Sequence, residues 1–382
     1  MIDMSVLNYI IWSPNPDIFN LGFLTIRWYG VLFALGFIIG QQIIYYIYKT
    51  EGKPEKDVES LTIYMVIATI IGARLGHVLF YQPMDYLSNP LSILKIWEGG
   101  LASHGAAFGI IIAILLYSNY YINISFKGIE SRKQKRENQS FFWVIDRIVI
   151  VVALAGCLIR LGNFLNSEII GTATNSDYGV VFGWDDENRL ERSNVIEDIS
   201  FYKPTADTLP QNIENPVGMA LTFVRGDYSN EQIIRRFIEE QVPVIIDNDN
   251  YSSSHIEVPE ELHYNLVQQK GHYVANILVS GIPRHPSQLY ESISSLILFI
   301  VLFLYWRKSY RTLPDGRIFG IFLVVLFGLR FIYEFYKMPQ VEFEADMALN
   351  MGQWLSIPLV IAGIVILIFT GKNKKIQEGS EI

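Results

Sequence analysis

The stretch FFWVIDRIVIVVALAGCLIRLGNFLNSE, residues 141–168, runs apolar from Phe141 and then closes on Arg160, Asn163, Asn166 and Glu168. A helix needs about 20 apolar residues to cross the roughly 30 Å hydrocarbon core of a bilayer, and this run is long enough. The same chemistry holds across the chain. Of 382 residues 51% are hydrophobic and only 18% charged, so charge must be concentrated in a few places. Those places are the connections between apolar runs.

Seven spans are expected, at about Leu24 to Tyr48, Val58 to Tyr81, Leu101 to Tyr121, Phe141 to Phe164, Ser287 to Trp306, Arg317 to Tyr336 and Gly352 to Thr370. The first connection, YKTEGKPEKD, holds three lysines, and the third, FKGIESRKQKRENQS, holds five basic residues. The fifth, WRKSYRTLPDGR, holds four and the tail GKNKKIQEGSEI three, whereas the second and sixth carry little beyond Lys95 and Lys337. The positive-inside rule then puts the N-terminus outside and the C-terminus inside. Met1, Asp3 and Asn8 do not make the basic start of a cleaved signal peptide. Cys157 lies within an apolar run and reads as a packing residue, so neither a disulfide framework nor a metal-binding cysteine pair is expected.

The expected fold class is an all-α integral membrane protein with an inserted extracytoplasmic α+β or irregular domain. Residues 1–171 would hold helices one to four, 172–283 an acidic head, 284–371 helices five to seven, and 372–382 a cytoplasmic tail. The 112 residues of the head contain 18 acidic and 7 basic side chains, which accounts for the net charge of −8 and argues against nucleic acid as a partner. Within it YGVVFGW and VPVIID read as β-like, SNEQIIRRFIEEQ as an amphipathic helix and DNDNYSSS as a turn. His255, His263 and His272 read as solvated surface histidines.

With that orientation, polar residues of five helices share one depth in the outer half of the membrane. Tyr29 follows the outer start of helix one. Arg74 and His77 lie three apart on one face of helix two, and His104 opens helix three. Arg160, Asn163 and Glu168 close helix four, and Arg330 and Glu334 lie four apart on helix six. Read singly, Arg330 and Glu334 suit a structural ion pair, Trp28 and Tyr29 an interfacial belt, His77 a packing role, and His285 and Glu291 of RHPSQLYE a simple helix start. Taken together they are costly in a membrane and mark a polar interior. Arginine does not discharge, so Arg74, Arg160 and Arg330 describe a cationic cavity suited to an anion, and a phospholipid phosphate is the commonest one at that depth.

IRLGNFLNSEIIG, with Arg160, Gly162, Asn163, Asn166, Glu168 and Gly171 on matching positions, closely resembles the signature of the bacterial prolipoprotein diacylglyceryl transferase family. RWYG, GARLGHVLFY, WEGGLASHG, RHPSQLYE, LRFIYEF and MGQWLSIP resemble that family's other blocks, in its order. The chain departs at His77, where the family commonly has tyrosine, at Ala106, where it commonly has glycine, and in a longer connection after Gly171. The resemblance implies an enzyme of the bacterial inner membrane whose active site faces the outer leaflet. It would move a diacylglyceryl group from phosphatidylglycerol to the lipobox cysteine of a preprolipoprotein signal peptide, releasing glycerol 1-phosphate. That chemistry wants a base for a thiol of pKa about 8.5, for which His104 is the candidate. It also wants fixed cations for the departing phosphate, here Arg160 and Arg330, with Arg74 as a third candidate. Glu168 and Glu334 would hold the arginines, Asn163 and Tyr29 would orient headgroup or ester, and Gly171 would serve a backbone turn. No cofactor or metal is called for, since neither a ligand cluster nor a phosphate-cradling loop is present.

An anion transporter would use the same arginines, but it calls for internal repeats and midplane sites, and no repeat is evident. An intramembrane hydrolase calls for a GxSxG elbow or paired intramembrane aspartates, and neither is visible.

Overall fold

The computed structural model describes residues 9–22, 25–95, 100, 102–125, 128–176, 178–205, 210, 213–225, 230–247, 255–339, 344 and 347–379. In chain order the elements begin with strands β1 (Tyr9–Trp12), β2 (Asp17–Asn20) and β3 (Thr25–Arg27) and helices α1 (Trp28–Thr50), α2 (Glu55–Phe80), α3 (Pro83–Ser88) and α4 (Ser103–Asn119). A hairpin of β4 (Tyr120–Ser125) and β5 (Gly128–Lys133) leads into α5 (Phe141–Leu165). Then come β6 (Gly179–Phe182), α6 (Trp184–Glu191), β7 (Ile196–Tyr202), β8 (Pro216–Phe223), α7 (Glu231–Glu240) and α8 (Val242–Ile246). The chain continues through β9 (Ile256–Glu257), β10 (His263–Gln269), β11 (His272–Gly281), α9 (Ser287–Ser309), α10 (Arg317–Tyr333) and α11 (Met351–Gly379).

Six of these helices, α1, α2, α5, α9, α10 with its 3-10 extension to Tyr336, and α11, are long and apolar enough to cross a membrane. The third expected span is the shorter α4, of 17 residues. The first starts later than expected: Thr25 to Arg27 pair as β3 with β2, and the helix begins at Trp28.

The chain divides into two compact units. One comprises Met1–Phe33, Leu158–Ile293 and Ile332–Met351, and the other Ala34–Cys157, Ser294–Phe331 and Gly352–Ile382. The second unit is helical, and its core gathers Ile44, Tyr48, Leu61, Ile114, Val144, Ile148, Leu302 and Trp306. α2 and α4 meet along glycines: a Cβ on Gly76 would stand 2.7 Å from the Gly105 Cα, so no larger residue fits this seam. Near the start of α5 the buried Arg147 pairs with Glu51 at 2.8 Å, and the Trp306 indole donates to the same carboxylate at 2.6 Å. Asp146 accepts the backbone N–H groups of Gly316 and Phe319, both at 2.7 Å, and so caps the start of α10.

The first unit contains a sheet in the order β10-β11-β8-β7, antiparallel throughout, with β9 also on β11, and a separate parallel pair of β1 and β6. Val217, Met219 and Leu221 of β8 and Ala275, Ile277 and Val279 of β11 alternate into a core shared with Ile234 and Ile238 of α7. Asn230 caps α7 by accepting the Gln232 N–H at 2.9 Å. VPVIID, expected as β-like, is instead the helix α8: Pro243 sits in its first turn, and Val242 and Ile246, four apart, are buried together on one face. Packing overrides the β-propensity of valine and isoleucine here. His255 likewise departs from the expected surface histidine. It is buried beside Phe182 and 3.6 Å from the Asp185 carboxylate, and desolvation lowers its pKa. Of the expected turn DNDNYSSS, residues 248–254 lie outside the described residues.

Candidate active site

The end of α5 is shaped by backbone conformations that side chains rarely adopt. Ser167 and Ile169 have φ of 54° and 58°, and a β-branched residue in the left-handed region is strained by about 1–2 kcal/mol. Neighbouring side chains hold that conformation. At the start of α9, Gln288 Nε2 donates to the Glu168 carbonyl at 2.7 Å and the Ser287 hydroxyl donates to the Ile169 carbonyl at 3.1 Å. RLGNFLNSE therefore does not simply stop at Leu165. It turns back on itself, and the Glu168 N–H donates to the Asn163 carbonyl at 2.8 Å.

That turn gathers side chains from α1, α5, α9 and the end of α10. Arg160 donates from a terminal nitrogen to Asn163 Oδ1 at 3.2 Å and pairs through Nε with Glu291. Asn163, 4% exposed, passes the connection on by donating to Glu168 Oε2 at 3.1 Å, and Asn166 donates to Oε1 at 3.1 Å. Glu291 is shared: its other oxygen pairs with Lys337 Nζ, which also reaches Glu334 Oε1 at 2.9 Å. Asn350 donates to Glu334 Oε2 at 3.1 Å. The result is an alternating chain of cations and carboxylates, Arg160, Glu291, Lys337 and Glu334, in which each buried charge has an opposite neighbour. Among the described residues, the buried amide oxygens of Asn166 and Gln288 accept no hydrogen bond.

Glycines set two close approaches. A Cβ on Gly162 would stand 2.9 Å from the Tyr29 Cα, so only glycine lets α5 rest against the start of α1. Gly171, expected at a turn, instead lies in an extended bridge with Lys337, held by Thr172 N–H donating to the Tyr336 carbonyl at 2.9 Å. A Cβ there would overlap the His285 carbonyl oxygen and lie 2.8 Å from that of Tyr336. Neither is a flexible group. Gly171→Ala is expected to lower stability by about 1–3 kcal/mol, read as a drop in thermal midpoint in detergent. An unchanged midpoint would mean that the strands flanking Gly171 can part at no cost. His285, whose pKa burial lowers, meets the Tyr290 hydroxyl at 3.1 Å and packs on the Tyr336 ring.

Of the expected site residues, Tyr29, Arg160, Asn163, Glu168, Gly171 and Glu334 thus fall in the first unit. Glu168 takes the two asparagines, while the ion pair of Arg160 is with Glu291. Lys337 was legible only as one lysine in a connection poor in basic residues; its place three positions after Glu334 was the available signal.

The second unit holds Arg74, His77, His104 and Arg330. Arg74, 4% exposed, donates to the carbonyls of Ser92 at 2.6 Å, Ile93 at 2.9 Å, Lys95 at 3.1 Å and Gly100 at 3.2 Å, and it lies over the Tyr86 ring. Its guanidinium is engaged in fastening the loop after α3. His77 stacks on Tyr81 and contacts Gln82 at 3.3 Å. His104, in the first turn of α4, packs its ring against Phe80 and Tyr81. Arg330 lies in the last turn of α10. In the block WEGGLASHG, residues 97–99 and 101 lie outside the described residues.

A family model described as prolipoprotein diacylglyceryl transferase matches residues 16–369. Proteins named phosphatidylglycerol–prolipoprotein diacylglyceryl transferase are similar over nearly their whole lengths. That of Tolumonas auensis is 34% identical, covering 96% of this chain and 99% of its own. That of Chloroherpeton thalassium is 33% identical, covering 99% and 100%, and that of Bacteroides fragilis 31%, covering 98% and 99%. The signature around Arg160, the network built on it and a match over most of the chain agree: the chain belongs to the prolipoprotein diacylglyceryl transferase family.

Proposed function

We propose that this chain transfers the diacylglyceryl group of phosphatidylglycerol to the thiol of a lipobox cysteine in a preprolipoprotein. The observation that carries the reading is the Arg160 network, built on the family's signature turn and offering a fixed cation beside two unused buried acceptors. In the reaction a C–S bond forms at the glyceryl carbon while its C–O bond to phosphate breaks. The thiol loses its proton, and the singly charged phosphodiester leaves as a glycerol 1-phosphate monoester carrying a second negative charge. Arg160 suits that oxygen because its planar fork matches phosphate geometry and stays charged. The amide oxygens of Asn166 and Gln288 suit the headgroup's hydroxyls. On the family's motifs we assign Arg330 to phosphate binding and His104 to the thiol proton, with Tyr29 orienting the ester.

The reading extends to topology. α4 would be a seventh span, the N-terminus would lie outside and the C-terminus inside the bacterial inner membrane, and residues 172–283 would form a head on the outer face. The basic residues of the first, third and fifth connections support this orientation. The deciding assay uses purified protein in detergent, phosphatidylglycerol labelled in its acyl chains, and a lipobox peptide ending at its cysteine. Label joined to the peptide by a thioether, and lost when that cysteine is serine, is the expected result. No transfer by folded protein that binds phosphatidylglycerol would overturn the reading.

A further inference from the structure

β1 pairs with β6 on one edge and β7 pairs with β8 on one edge. Among the described residues neither has a second strand partner, so each presents one main-chain edge outside any ladder. Residues of β1 and β7 together line a single cleft of about 520 Å³, with Ser13, Glu187 and Lys203. Its apolar part includes Ile10, which is 54% exposed, while Ser13 donates to Glu187, and Lys203 lies over the Tyr9 ring. Both edges belong to strands whose residues line this one cleft.

We propose that this slot receives an extended polypeptide, the segment that follows the target cysteine of the substrate; the identity of the occupant rests on the transferase reading above. Three observations favour a polypeptide. Unpaired strand edges offer donors and acceptors at the spacing of another backbone, the geometry of strand addition. The cleft's charged side chains are one carboxylate and one ammonium, which is no cradle for a phosphate. The strand β1, which lines the slot, is also tied to the turn that carries Arg160. Trp12, the last residue of β1, donates from its indole to the Phe164 carbonyl at 3.0 Å and stacks on that ring at 4.5 Å, and Phe164 follows Asn163 directly. β1 therefore links the neighbourhood of Arg160 to the slot, which suits a segment that follows the target cysteine.

The experiment compares two peptides with the same lipobox. One ends just after the cysteine, and the other continues with alternating serine and valine for the length of β7. With full-length protein and phosphatidylglycerol, the longer peptide is expected to show a KM about tenfold lower at similar kcat. N-methylation of alternate amides in its tail should remove that gain. Ile10→Asp and Ser200→Trp, both at exposed positions of the cleft, should also remove it and leave transfer to the short peptide unchanged. Equal KM values, or a gain that survives N-methylation and both variants, would overturn the proposal. In parallel, a fluorescent tail peptide lacking cysteine is titrated against the protein. Saturable binding displaced by unlabelled tail supports the slot even if neither lipobox peptide is modified, in which case the transferase reading falls alone. Absence of binding, or displacement by glycerol 1-phosphate, counts against the slot.

Discussion

Arg160→Ala is expected to cut transfer about a thousandfold in protein that inserts and melts almost as the parent does. The first half of that expectation follows from charge. When the glyceryl C–O bond breaks, a second negative charge appears on the departing phosphate, and an uncharged side chain at 160 leaves it without that fixed positive partner. The second half follows from the neighbours. Without Arg160, Glu291 keeps Lys337 as its counter-ion, and Asn163 keeps its bond to Glu168. The turn is held besides by Gln288 and Ser287, whose hydrogen bonds run to the carbonyls of Glu168 and Ile169. Arg160→Lys restores the charge without the fork and should recover only part of the rate. Turnover measured beside a thermal melt separates the two effects, and transfer within a few-fold of the parent in Arg160→Ala would move the phosphate site elsewhere.

How much of this was legible beforehand depends on which physical signal carried it. Six of the seven expected spans were, as helices long and apolar enough to cross a membrane, because a run such as Phe141 to Phe164 is long and apolar whatever it packs against. α4 shows the limit: at 17 residues its length alone does not decide the matter, and Tyr120 onward continues as a strand. α8 was misread because local propensity favours strand for VPVII, while the burial of Val242 and Ile246 that overrides it depends on partners distant in sequence. Among site residues, Arg160, Asn163 and Glu168 lie within one short segment, so their proximity was given by the chain itself. That Glu291 and not Glu168 would take the arginine was not, since a salt bridge across 131 residues leaves no local trace. Arg74 looked equivalent to Arg160 by type and depth, yet it binds loop carbonyls; the difference lies in backbone atoms that every sequence possesses. Asp146 and Arg147 were passed over within an apolar run, though both anchor the second unit.

Glu291→Gln should do the reverse of Arg160→Ala, with stability falling first. Its carboxylate is the one shared by two cations, and both it and Lys337 are nearly inaccessible to water, Lys337 at 3% side-chain exposure. Neutralising Glu291 leaves Arg160 and Lys337 with Glu334 as the remaining carboxylate of the chain of ions. An uncompensated buried charge costs about 3–5 kcal/mol, and the thermal midpoint in detergent should fall accordingly. Lys337→Met should cost less, because Glu291 retains Arg160 and Glu334 retains the Asn350 amide. Combining the two substitutions removes one charge of each sign and restores neutrality, so the double variant should be more stable than Glu291→Gln alone. That reversal is the signature of a charge relay, since independent packing defects add. Strictly additive losses in the double-mutant cycle would mean that Glu291 and Lys337 act independently, and the ion pair between them would then contribute nothing to stability.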